Sequence, residues 1–206
     1  GEALRDLQLA RELAGDAADE GLGAETQAEI GYVRRWYLRQ IDDPRPAYLE
    51  PARATLERLG DRRGEAKVVD YLAQVSLRAD DLVTFFRQQN RSLNTWRQVG
   101  DVARQARAHL QIGWAWDRLE NSRRAMYHLE LALQLASSAG DSVLVPRAER
   151  MLATVELTAG RPERALQRLE RVIASLEPGH LEARSIYGVL GDAYRRQGRP
   201  AAARSA

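Results

Sequence analysis

The sequence predicts an all-α fold built from antiparallel helix pairs stacked side by side. A glycine-acidic mark recurs every 40 residues, at Leu59-Gly60-Asp61, Val99-Gly100-Asp101 and Ala139-Gly140-Asp141, and Pro178-Gly179-His180 follows one residue early. Between the marks, apolar residues fall three or four apart, the period of a helix with one buried face. Small residues such as Gly113 and Ala125 stand where two helices must approach closely. Self-similarity at this spacing means two-helix units that bury their apolar faces on one another.

A chain of 206 residues, 44% hydrophobic and 29% charged, can bury such a stripe and still solvate its exterior. Its formal charge of +2 is too small to argue for a nucleic-acid partner. Lys67 is the only lysine among 31 basic residues. That bias fits a GC-rich genome, or a use of Arg for bidentate contacts to carboxylates and phosphates. The absence of Cys excludes disulfides, thiolate nucleophiles and cysteine metal sites. No apolar run reaches the roughly 18 residues that a membrane helix needs, so no membrane partner is expected, and the expected location is cytoplasmic. The chain opens Gly-Glu-Ala-Leu-Arg without Met or a signal peptide and reads as part of a longer protein.

The elements follow in order. Ala3, Leu7, Ala10 and Leu13 predict a lone helix over 1–15, the second member of a pair whose first helix precedes Gly1. The first unit, 24–60, carries Ile30-Gly31, with Ala47 and Ala54 expected opposite after a two-residue insertion around Asp42-Asp43-Pro44. The second, 61–100, has Leu72-Ala73 but Phe85 where an Ala is expected. The third, 101–140, is the most legible, with Ile112-Gly113 and Trp116 in one helix and Ala125, Leu129, Ala132 and Leu133 in the next. The fourth, 141–179, pairs Leu152-Ala153 with Ala165, Leu169 and Val172 across Gly160-Arg161-Pro162. Glycine suits a left-handed helix end and proline the first turn of the next helix. Pro146 would remove an internal hydrogen bond, so that unit's first helix is expected to start near Val145. The fifth, 180–206, is truncated after Leu190-Gly191, Tyr194, Gly198-Arg199-Pro200 and Ala203. Gly60, Gly100 and Gly140 are expected to end second helices, and the Asp after each to cap the next first helix.

The large-small pair, the aromatic three residues later, the turn glycine and the small residues of the second helix resemble the tetratricopeptide repeat family. Ile112-Gly113, Trp116, Ala125, Leu129 and Ala132 carry that resemblance, as do Leu190-Gly191, Tyr194, Gly198 and Ala203. It covers roughly residues 24–206 and is strongest from 101 onward. The 40-residue unit departs from the usual 34 and is similar to versions in bacterial regulators and sensors and in eukaryotic adaptors. The resemblance implies a single solenoid domain, a right-handed superhelix of four to five pairs, with first-helix residues lining a concave groove. The specific carboxylate clamp of the family's chaperone-binding members needs a Lys and Asn set, which is absent here.

No catalytic constellation emerges, and neither an enzyme activity, a metal nor a cofactor is expected. His109, His128 and His180 are not at metal-ligand spacing, and His109 falls beside the core stripe. Glu149 with Glu156, and Asp80 with Asp81, are carboxylate pairs of the kind any solvated helix face carries. Gly188-Val-Leu-Gly191 is too short and too helical for a phosphate loop.

Alignment on the large-small pairs gives two rows of first-helix residues: Glu25, Lys67, Arg107, Arg147 and Ser185, then Tyr32, Gln74, Trp114, Thr154 and Asp192. Members seven apart share a helical face, with Ala28, Asp70, Leu110, Arg150 and Gly188 between them. Lys67, Arg107 and Arg147, with Arg150 close by, form a basic strip suited to the carboxylates of an acidic peptide. The opposing reading is a solvated face in which Asp70 neutralises Lys67 three residues away. Trp114 is a candidate anchor for an apolar or planar group, with Tyr32 and Tyr71 as neighbours, or else is buried against the next unit. The candidate site is therefore Tyr32, Lys67, Tyr71, Gln74, Arg107, Trp114, Arg147 and Arg150. The expected function is a scaffold that binds a protein or peptide segment in the groove. The alternatives are a regulatory ligand-sensing domain and self-association through the terminal helices.

Overall fold

The computed structural model describes residues 2–16, 18–39 and 42–198. Arg199, Pro200 and Ala203 lie outside the described residues, as does the side chain of Ala3. The chain forms two compact units, Gly1–Gly100 and Asp101–Ala206.

The first unit runs α1 (Glu2–Asp16), α2 (Glu20–Trp36), a π-helical turn (Arg45–Leu49), α3 (Glu50–Leu59), α4 (Arg62–Arg78) and α5 (Leu82–Gln98). Each helix packs on the next, and the core at α2–α4 gathers Ala28, Leu49, Ala52, Leu56, Val68 and Leu72. The insertion around Pro44 is taken up before residue 45, so α3 keeps its 40-residue register with the later units. Leu49, Ala52 and Leu56 are therefore the buried residues, while Ala47 and Ala54, the expected partners of Gly31, are exposed. Gly31 instead meets the π turn: a Cβ there would lie 2.4 Å from Tyr48 Cβ.

The α4–α5 pair explains why the second unit looks degenerate. Phe85, Gln89, Ser92 and Trp96 occupy the places that Ala125, Leu129, Ala132 and Ala136 fill one period later, and all four are buried. The buried Trp96 indole N–H and Gln89 amide need a polar partner within the core. Asp70, 8% exposed, accepts from Trp96 Nε1 at 2.9 Å and from Gln89 Nε2 at 3.3 Å.

The second unit runs α6 (Val102–Arg118), α7 (Ser122–Ser138), α8 (Leu144–Thr158), α9 (Pro162–Ser175) and α10 (Ala183–Arg196). One core joins α6, α7 and α8 through Leu110, Leu129, Ala132, Leu152 and Val155, and another joins α8, α9 and α10 through Leu157, Leu169, Ile186 and Leu190. α8 begins at Leu144, which places Pro146 in its first turn, where a missing N–H costs nothing.

The 40-residue mark has a mechanical meaning. Gly60, Gly100 and Gly140 have φ of 72°, 69° and 64°, the left-handed turn that closes a helix. Asp61 and Asp101 then accept from backbone N–H groups of α4 and α6, and Asp141 from Leu144 N at 2.8 Å. Asp80 and Asp81 belong to the same system: Asp80 takes a φ of 63° and Asp81 caps α5 through Thr84 N.

Candidate functional site

In the first unit the row alignment brings its neighbours into contact. Lys67 Nζ sits 3.1 Å from Glu25 and also pairs with Glu29, both on α2. Asp70 does not neutralise Lys67, because its carboxylate is committed to the α4–α5 core. In the second row Tyr32 Oη donates to Gln74 Oε1 at 3.1 Å. The Tyr32 ring stacks on Tyr71 with centroids 4.6 Å apart, and Trp36 and Tyr37 meet it edge-on. Arg35 and Arg78 lie over the Trp36 ring at 4.9 and 4.7 Å. The result is a cation-flanked aromatic cluster in which Tyr37 is 74% exposed. The positions between the rows are not available to a ligand here, since Ala28 and Asp70 are buried.

In the second unit Leu110 is likewise core, but the flanking positions of α6 reach solvent. Arg107 is exposed and makes no ion pair among the described residues. Trp114, two turns further on, is 38% exposed and is not packed away. The Arg118 guanidinium lies 5.6 Å from its ring centroid. Trp116 points elsewhere, against the core, with Arg124 4.4 Å from its ring.

On α8 the expected basic strip is spent internally. Arg147 holds Glu182 Oε1 through Nη2 at 2.6 Å and Nε at 2.8 Å, and Arg150 Nε reaches Oε2 at 3.2 Å. Glu182 is 5% exposed, so two cations offset one buried carboxylate. His180 orients this corner: its Nδ1 accepts the Glu182 N–H at 3.1 Å, and its Nε2 then donates to the Ser142 carbonyl at 3.1 Å. Of the remaining row members on α8 and α10, Thr154 donates to its own helix, Asp192 pairs with Arg195 and Ser185 is exposed.

Other charged groups turn inward as well. Glu149 and Glu156 flank Arg168, which donates to Glu156 from Nε and Nη2 at 3.2 Å each and to Glu149 from Nη1. Burial works against that cation, but the two carboxylates outweigh it and hold its pKa above the ordinary value. His109, 4% exposed, meets His128 with Nδ1 atoms 3.0 Å apart, one donating and one accepting. Gly113 packs on Leu129, which neighbours His128 in sequence, and His109 lies one turn before Gly113 on α6. Among the described residues no group of three or more His, Asp or Glu is placed to hold a metal.

Burial pushes the Asp117 carboxyl above its ordinary value. A raised folded value means that the folded chain holds this proton more tightly than the unfolded chain. Stability from this group is therefore greatest in acid and is lost as pH rises through the carboxylate range. Asp117→Asn is expected to raise Tm at pH 7, with the gain vanishing at pH 3. A Tm difference independent of pH would contradict this assignment.

Two spatial expectations remain tied to separate units: Lys67, Tyr32, Tyr71 and Gln74 belong to the first, and Arg107, Trp114, Arg147 and Arg150 to the second. No described helix is long and apolar enough to cross a membrane.

No protein-family model matches the sequence, and no curated protein matches it. Solved structures do. BtubC (BKLC) from P. vanneervenii superposes with a TM-score of 0.76 at 18% identity, over 99% of this chain and 85% of that one. A kinesin light chain of Podosopora anserina with nearly identical TPR-like repeats gives 0.68 at 14% identity, over 87% and 89%. A signal transduction ATPase with a tetratricopeptide repeat sensor from Pyrococcus horikoshii gives 0.72 at 15% identity, over 86% of this chain but 28% of that protein.

Proposed function

The chain has the tetratricopeptide-like solenoid fold of these structures, and we propose that it works as a non-catalytic, cytoplasmic scaffold binding a protein segment along its first-helix face. The observation that carries this reading is the α6 face, where Trp114 keeps part of its ring in solvent two turns from Arg107, a cation with no carboxylate partner among the described residues. The part of the Trp114 ring left in water is apolar surface that a bound chain can cover. The same pair is a ready anchor for a bound chain.

The helix rise puts these two residues about 10 Å apart along α6. An extended segment covers that distance in about three residues. The segment that fits therefore carries an acidic side chain for Arg107 and, about three residues away, an apolar or planar one for Trp114. Arg147, Arg150 and Lys67 contribute less to capture, since each already holds a carboxylate of this chain. Selection from a random peptide library on the immobilised chain is expected to enrich that spacing. Enrichment of basic peptides would contradict it.

The regulatory alternative rests on the Pyrococcus horikoshii ATPase, which carries a tetratricopeptide repeat sensor. Self-association rests on α1, where Leu9 and Leu13 are 55% and 57% exposed. If those leucines join two copies, Leu9→Asp with Leu13→Asp is expected to convert a dimer to a monomer in light scattering. An unchanged mass would remove that alternative.

A further inference from the structure

A cavity of about 350 Å³ lies in the first unit between α1, α2 and the π turn, away from every residue of the first-helix rows. Gln8, Arg11, Glu12 and Gly15 of α1 form one wall, Ile30 and Arg34 of α2 another, and Tyr48 closes it. Its size is at the lower end of small-molecule sites.

The polar groups here are arranged with donors left over. Arg34 Nη1 donates to Tyr48 Oη at 2.7 Å, so the phenol oxygen accepts and keeps its own hydrogen for another acceptor. Arg34 Nε is buried and has no hydrogen-bond partner. Neither Arg34 nor Arg11 forms an ion pair among the described residues, in a chain where Lys67, Arg147, Arg150 and Arg168 all do. Glu12, the one carboxylate of the lining, also pairs with no described cation. Two guanidinium groups and a phenol O–H therefore face a space with a single, unengaged carboxylate. Arg34 is half-buried, and enclosing its Nε without an acceptor or a counter-ion is costly, a cost that a nearby oxyanion offsets by bidentate hydrogen bonding.

The neighbouring cleft provides a contrast. It shares Arg11 and Gly15 but is lined by Asp19 and Glu20, and it offers no second cation. The charge balance therefore selects the Arg34 side of α1.

We propose that the Arg34–Arg11–Tyr48 cavity binds a small organic anion, a carboxylate or phosphate on a compact body. This site is separate from the α6 face, and its occupancy does not depend on the scaffold reading. Gly15, with open space where a Cβ would stand, leaves the α1 wall bare for that body.

The test is titration calorimetry of the full chain with inorganic phosphate, phenyl phosphate and benzoate. Saturable one-to-one binding of at least one is expected, and the preferred compound distinguishes a phosphate from a carboxylate ligand. Arg34→Gln is expected to weaken it at least tenfold and Arg11→Gln several-fold, while Glu12→Gln tightens it. High salt should weaken binding in the wild type. Circular dichroism shows whether Arg34→Gln still folds; if it does not, Arg11→Gln, altered at an exposed position of α1, carries the test alone. No saturable binding of any probe, or wild-type affinity in the folded Arg variants, would overturn the proposal.

Discussion

Arg168→Met is expected to destabilise the second unit by about 3–5 kcal/mol, the usual cost of removing one partner of a buried ion pair. The cause is the carboxylate left behind. Glu156 is 3% exposed and takes two hydrogen bonds from Arg168, with no other described partner. Glu149, less buried, can hydrate once released. The double variant Arg168→Met, Glu156→Gln should therefore recover much of the loss, because no buried charge remains. Urea unfolding followed by circular dichroism measures both. A single variant within 1 kcal/mol of wild type, a margin typical of surface pairs, would show that the pair behaves like one in solvent.

The second large effect has opposite signs at two glycines. A Cβ on Gly113 would stand 2.7 and 2.8 Å from Leu129 Cγ and Cδ2 and 3.2 Å from the Ala125 carbonyl oxygen. Leu129 is fully buried and has no space to yield. Overpacking of this kind costs about 1–3 kcal/mol and outweighs the roughly 1 kcal/mol that Ala gains over Gly in a helix. Gly113→Val should be worse than Gly113→Ala. Gly188, inside α10, has nothing within 4 Å of its Cβ position, so Gly188→Ala should stabilise by up to about 1 kcal/mol. For a chain of this size each kcal/mol moves Tm by about 2–4 °C. Stabilisation by Gly113→Ala would mean that α6 and α7 do not approach as closely as described.

What was legible in the sequence was local or periodic. Helix ends were readable because a glycine and a capping Asp act within four residues, as at Gly60-Asp61. The close approach at Gly113 was readable because only small residues permit it. The row alignment even set Glu25 beside Lys67 and Tyr32 beside Gln74, since stacked units place equivalent positions side by side. The register of α3 was misread because nothing local says where an insertion ends. Charge pairing was the least legible. Asp70 is three residues from Lys67 and yet serves Trp96, while Arg147 and Arg150 find Glu182 more than thirty residues away. Such choices depend on which carboxylate is buried, which is a property of packing rather than of spacing. The exposure of Trp114, and an Arg107 that no described carboxylate pairs with, emerged only from that packing.

The most direct test of the scaffold account is the affinity of one library-selected peptide for three forms of the chain. Trp114→Ala is expected to raise Kd at least tenfold, and Arg107→Glu to do so in a salt-dependent way. Tyr127→Ala, which removes a more exposed ring from the second helix of the same pair, should leave Kd unchanged. The reverse pattern, loss at Tyr127 with wild-type affinity in Trp114→Ala, would place recognition on the other helix and contradict the account.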